Sequence, residues 1–173
     1  MKFFILDVDG VMTNGNFFYS HEGKVLKSFG ADDSDALSIL KNYINIEFVS
    51  GDKKGFNISK KRITDDMGYQ LSLVSTIKRK EWIQEKYNLK DVIYMGDGIF
   101  DILVMEAVGY SIAPANADKN TIKAADFVTE RIGGDRAVSE ACIHILKRFF
   151  GMDSLKDEIN SIHNLNTGEW NIC

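Results

Sequence analysis

The stretch FFILDVDGVMTNG, residues 3–15, constrains this chain more than any other. Phe3, Phe4, Ile5 and Leu6 read as a buried strand, too short to span a membrane. The run ends in two carboxylates one residue apart, Asp7 and Asp9, with Gly10 directly after them. Burying a bare carboxylate costs on the order of several kcal/mol, so the pair needs a nearby cation or access to water. The fold must therefore bury the strand and leave its carboxyl end open.

The rest of the chain supplies such a fold. Apolar runs at 2–8, 46–50, 92–96, 110–113 and, more weakly, 126–129 read as strands. Between them, 35–43, 56–67, 78–87 and 100–108 have apolar residues at helical spacing, and 136–150 is the strongest amphipathic helix. Strands alternating with helices predict an α/β protein with a parallel sheet covered on both faces. Ligands then bind beyond the carboxyl ends of the strands, at a topological switch point. One segment breaks the alternation: NFFYSHEGKVLKSFG, 16–30, predicts a β-hairpin projecting from the end of the first strand. The expected organisation is a core over 1–150 and a tail over 151–173, the tail ordered by contact with another surface.

The bulk numbers narrow the class. With 173 residues, 45% hydrophobic and 27% charged, the chain matches one globular domain. A net charge of −4 argues against a nucleic-acid binder, which needs basic surface to displace counterions. Cys142 and Cys173 are too few for a disulfide framework, and Cys142 reads as a small core hydrophobe. With neither a signal-type segment nor a run of membrane length, the expectation is a cytoplasmic protein with no membrane partner.

Polar residues collect at the predicted strand ends. The first strand ends in Asp7 and Asp9, the second in Ser50 and Gly51, and the third in YMGDGIFD, with Asp97 and Asp101. Lys78 and Lys80 stand at a helix start that can reach the same edge. Oxygen ligands from a few carboxylates, with room for water and phosphate, suit Mg²⁺. A carboxylate can attack phosphorus to form an aspartyl-phosphate, while a hydroxyl, an amide and a lysine hold the phosphoryl oxygens. A second carboxylate two residues on can protonate the leaving oxygen and later activate water. On this reading, metal and phosphate make the acidic pair tolerable.

DVDGVMTNG, VSG, Lys80 and GDGIFD together resemble the four motifs of the haloacid dehalogenase superfamily of phosphatases. GGDRAVSEAC, 133–142, resembles the closing segment of the branch that handles 3-deoxy-D-manno-octulosonate 8-phosphate and related nine-carbon sialic-type 9-phosphates. The resemblance implies a three-layer Rossmann-like fold with a hairpin flap and no large cap domain. It implies Asp7 as nucleophile and metal ligand, and Asp9 as general acid/base that also gives the metal its backbone carbonyl. Ser50, Gly51 and Lys80 would hold phosphate, Asp97 would be a further Mg²⁺ ligand, and Asp101 would support the site from behind. The substrate would be a phosphorylated sugar acid used for surface-polysaccharide precursors, and the assembly a homotetramer. Independently, Phe17, Phe18, Tyr19, Val25, Leu26 and Phe29 exceed what one face of the hairpin can hide, which implies association.

Several positions depart from that pattern. Gly98 stands where a second acid is usual, Asp52 where an arginine is, Asp32 where a basic residue is, and Arg136 where a glycine is common. The altered positions leave the sugar open. A signalling receiver domain also gathers acids, a Ser/Thr and a Lys around Mg²⁺, but its accepting Asp lies on a middle strand, whereas DVDG ends the first. A non-catalytic relative is the third alternative, opposed by the intact Asp7, Asp9, Ser50, Lys80 and Asp97.

Overall fold

The computed structural model describes residues 1–156 and 159–160. Its centre is a six-stranded sheet of β1 (Phe3–Asp7), β4 (Asn45–Ser50), β5 (Gln70–Leu73), β6 (Val92–Met95), β7 (Tyr110–Ala113) and β8 (Phe127–Val128). The order is β5-β4-β1-β6-β7-β8, and every adjacent pair is parallel. From β1 the chain moves outward to β4 and β5, then crosses back to β6 on the other side of β1. The switch point therefore lies at the carboxyl end of β1, where Asp7 stands.

Alternation along the strands divides the core into two layers. Phe4 and Leu6 face a cluster built from α1 (Asp32–Leu40), Ile63 and α6 (Ala137–Phe150), including Leu37, Leu40, Ala141, Cys142 and Ile145. Ile5 faces the opposite cluster, with Val74, Ile83 from α3 (Arg79–Lys86), and Val104 and Met105 from α4 (Ile102–Met105). The sheet is covered on both sides, as its continuous apolar strands require. Cys142 is fully buried and packs as a hydrophobe.

The hairpin consists of β2 (Phe18–Ser20) and β3 (Gly23–Leu26), antiparallel and separate from the main sheet. Two elements go beyond the sequence expectation. β5 is an edge strand of four residues beside β4, and α5 (Lys119–Ala124) is a six-residue helix capped by Asp118, whose side chain accepts from the Asn120 amide. The expected helix 56–67 begins as α2 (Phe56–Lys60) and widens into a π-helical stretch, Lys61–Asp66. The expected helix 100–108 is α4 alone, preceded by a 3₁₀ turn at Ile99–Asp101. From 161 onward the proposed interface tail lies outside the described residues.

Candidate active site

The turn after β1 is shaped by its backbone. Val8, Val11, Met12 and Thr13 are buried, and Thr13 Oγ1 accepts from the amides of Gly10 and Gly15 at 3.2 and 3.3 Å. Gly10 has φ +88°, and a Cβ there would stand 2.0 Å from Asp97 Oδ2. Only glycine lets this turn approach Asp97 so closely.

Asp7, Asp97 and Asp101 can each bring an oxygen within 4.8 Å of the others. Asp101 is the most committed of the three. Its Oδ1 accepts from Arg79 at 2.7 Å and from the Tyr94 hydroxyl at 2.6 Å, and its Oδ2 accepts from the amides of Asp97 and Gly98 at 3.0 and 2.8 Å. With both oxygens occupied, Asp101 orients the loop and the arginine. Asp7 accepts from Arg79 through both oxygens, at 2.9 and 3.2 Å, and from the Val8 amide at 2.8 Å.

These acids outnumber their cation. Burial lifts the Asp7 carboxyl to about 6 even though Arg79 pulls it down, and Asp101 adds to the rise. Burial, followed by the charges of Asp7 and Asp101, lifts Asp97 to about 8. A divalent cation would relieve this crowding, and an all-oxygen donor set of this kind fits Mg²⁺. Asp7 and Asp97 have the positions to hold it, and Asp9 follows two residues after Asp7.

On the β4 side, Ser50 Oγ donates to Asp9 Oδ2 at 3.3 Å and accepts from the Asp52 amide at 3.1 Å. Gly51 follows it in the turn, and a Cβ there would stand 2.9 Å from Thr76 Cγ2. The structure thus gathers Asp7, Asp9, Ser50, Gly51, Asp97 and Asp101 around the end of β1.

Lys80 is the residue that differs from expectation. It is half-buried and has no hydrogen bond or ion pair among the described residues, while Lys78 is exposed. The cation against Asp7 is Arg79, fully buried between the two. Successive helical residues point about 100° apart, so only one residue of a neighbouring pair can face the site. The start of α3 presents Arg79. A basic residue at the helix start is the signal that finds it, but the sequence does not fix the register.

Two further cations also come from outside the expected set. Lys27 Nζ lies 2.7 Å from Asp9 Oδ1 and 2.9 Å from Asp52 Oδ2, and Lys24 Nζ lies 2.5 Å from the same Asp52 oxygen. Burial works to raise the Asp52 carboxyl, but hydrogen bonds from Lys24 and Lys27 outweigh it and hold it at about 2. Asp32 is likewise paired, with Arg136. Arg136 has φ 70° and is the sole non-glycine residue with positive φ among those described, consistent with a position that suits glycine.

Comparisons with known proteins place the chain in a family. Residues 80–141 match the haloacid dehalogenase-like hydrolase family. The 3-deoxy-D-manno-octulosonate 8-phosphate phosphatase of Salmonella typhi is 30% identical over 168 residues, covering 91% of this chain and 86% of the relative. The cobalt-bound form of the corresponding phosphatase from Haemophilus influenzae superposes with TM-score 0.78 at 28% identity, over 92% of this chain and 96% of that one. A Moraxella catarrhalis 3-deoxy-D-manno-octulosonate 8-phosphate phosphatase, in complex with magnesium, phosphate and KDO, shares the fold with TM-score 0.77 at 24% identity, over 96% and 94%. The chain belongs to the haloacid dehalogenase superfamily, in the branch of the 3-deoxy-D-manno-octulosonate 8-phosphate phosphatases, and is a hydrolase of phosphoric monoesters.

Proposed function

We propose that this protein is a Mg²⁺-dependent phosphatase of a phosphorylated sugar acid, of the 3-deoxy-D-manno-octulosonate 8-phosphate type, working through an aspartyl-phosphate on Asp7. The observation that carries the reading is the crowd of carboxylates, Asp7, Asp97 and Asp101, at the switch point of a parallel sheet, with one guanidinium bridging Asp7 and Asp101. A Mg²⁺ held by Asp7 and Asp97 would supply the positive charge that lets an anionic phosphate approach the carboxylates.

The chain's own residues account for the rest. An Asp7 oxygen attacks phosphorus, the bond from phosphorus to the ester oxygen breaks, and Asp9 gives that oxygen a proton. Water then attacks the phosphorus, Asp9 takes its proton, and Asp7 is released with inorganic phosphate. Ser50 and the Gly51 amide hold phosphoryl oxygens. Arg79 steadies Asp7 for attack, in the place the sequence assigns to Lys80. Asp101 and Tyr94 fix Arg79.

The sugar is the less constrained part. Asp52 and Asp32 replace basic residues of the branch, and each has its charge answered by neighbouring cations. That observation favours a second reading, the same chemistry on a nine-carbon nonulosonate 9-phosphate or another small sugar phosphate. Self-association is supported by the exposed Phe18, Tyr19, Val25 and Leu26 of the hairpin, and the homotetramer as its form rests on the family resemblance. Phosphate release is to be measured with Mg²⁺ across octulosonate 8-phosphate, nonulosonate 9-phosphate and neutral sugar phosphates. Fastest turnover on the octulosonate is expected; a clear preference for a neutral sugar phosphate would remove the sugar-acid assignment. A single turnover without steady release would remove the enzyme reading.

A further inference from the structure

The flap presents an unusual contrast. β2 is exposed along its whole length, Val25 and Leu26 of β3 are exposed, and two short strands are only marginally stable alone. Yet the next residue, Lys27, buries its side chain completely. Taking a lysine out of water is costly unless acceptors of matching charge are waiting.

They are waiting, and the cradle is built for this side chain. Lys27 Nζ donates to Ser59 Oγ at 2.8 Å, and lies 2.7 Å from Asp9 Oδ1 and 2.9 Å from Asp52 Oδ2. The ammonium thus meets one hydroxyl acceptor and two carboxylates that answer its charge, from separate parts of the fold. Gly55 supplies the space: a Cβ there would stand 2.2 Å from Asp52 Oδ2 and 2.9 Å from Lys27 Cε. Asp52 is fixed in turn by the Gly55 amide at 3.0 Å and by Lys24, whose ammonium also lies 3.2 Å from the centre of the Phe17 ring. Asp9 Oδ1 accepts no aligned hydrogen bond among the described residues, so Lys27 acts on it as a charge, while Oδ2 takes the Ser50 hydroxyl.

We infer that Lys27 is the positioning residue of the acid/base: the Lys27–Asp52 pair fixes the carboxyl of Asp9 and, in the same contact, seats the flap over the site. Flap closure and orientation of the proton donor are thus one event. The inference rests on the reading of Asp9 as the group that protonates the leaving oxygen, and the test separates the two.

A proton donor matters most where the departing oxygen is a poor leaving group, and kcat/KM reports the steps through its departure. The substrates are phenyl phosphate, with a poor leaving group, and p-nitrophenyl phosphate, with a good one; neither depends on which sugar is natural. Lys27→Met is expected to lower kcat/KM on the order of 100-fold for phenyl phosphate and less than about 10-fold for p-nitrophenyl phosphate. Asp52→Asn, which leaves the lysine in place but loosens it, is expected to show the same selectivity with a smaller loss. It carries the test alone if Lys27→Met does not fold. Equal losses on both esters, no loss on either, or a rise in KM with kcat unchanged would overturn the role. Asp9→Asn is the control: if it keeps its activity on phenyl phosphate, the acid/base reading itself fails. If Asp9→Asn shows the selective loss and the Lys27 and Asp52 variants do not, only the positioning role fails.

Discussion

Two buried cations flank the end of β1, Arg79 beside Asp7 and Lys27 beside Asp9, and they are anchored in opposite ways. Arg79 belongs to the core: it starts a helix packed on the sheet, its fork grips Asp7 and Asp101, and Tyr94 of β6 braces it. Lys27 belongs to a hairpin outside the main sheet and reaches inward on a flexible stem. A planar, permanently charged guanidinium suits a fixed frame, whereas an ammonium on four methylenes suits an element that seats and lifts. The contrast teaches that Asp7, the proposed nucleophile, is held by the fold itself, and Asp9, the proposed proton donor, by the cover.

The largest effect expected is on the core side. Asp7→Asn keeps size and removes the attacking charge, and turnover should fall by on the order of 10⁴-fold or more. Retention of even a few per cent of wild-type phosphate release would dismiss Asp7 as nucleophile. Chelation comes next: excess EDTA should abolish activity, Mg²⁺ should restore it, and folded Asp97→Ala should resist restoration. Full activity in EDTA would end the metal role.

The comparison itself is tested by stability. Arg79→Met strands two buried acids and should lower unfolding stability by about 3–5 kcal/mol in urea. Lys27→Met should leave the global midpoint nearly unchanged and instead speed hydrogen exchange across 16–30, because the flap opens apart from the core. Similar midpoint losses in both variants would erase the distinction.

The smallest expected effect concerns Asp33, which is buried on α1 with Oδ1 accepting from the Ser139 amide at 2.9 Å and Oδ2 without a hydrogen-bond partner among the described residues. Burial, partly countered by the Ser139 amide, raises its carboxyl above the usual 3.8. The folded protein thus holds this proton more tightly than the unfolded chain, and the resulting stability is present below 3.8 and lost as pH rises through the raised value. Asp33→Asn keeps the acceptor without the charge. Its urea midpoint should modestly exceed that of wild type at pH 7, with the gap closing in acid; a gap that persists unchanged in acid would contradict the linkage.

Much of this arrangement is legible in the sequence, for a physical reason. Parallel strands end at one edge, so finding the strands places Asp7, Ser50 and Asp97 together without any knowledge of packing. Helix register has no such guarantee, and a shift of one residue separates Lys80 from Arg79. β5 escapes notice because QLSL at an edge is short and half-exposed, and α5 because its six residues carry little apolar periodicity. The flap lysines are invisible for a different reason: their partners, Asp9, Asp52 and Ser59, meet only after the hairpin folds back.

The hairpin leaves the core after Gly15, whose Cβ would lie 3.6 Å from Gly10 Cα, and returns at Gly30, whose Cβ would lie 3.0 Å from the carbonyl of Gly134. Gly134 is itself tied to the same turn, its amide donating to the Val11 carbonyl at 3.1 Å. Exit and entry thus open on one small patch of backbone. Such a loop behaves as a separable part: its tip around residues 20–23 can change in length and sequence while Lys24 and Lys27 keep their contacts and the sheet below keeps its register. Selection can therefore remodel the tip of the cover while the junction beneath it and the reacting atoms stay as they are.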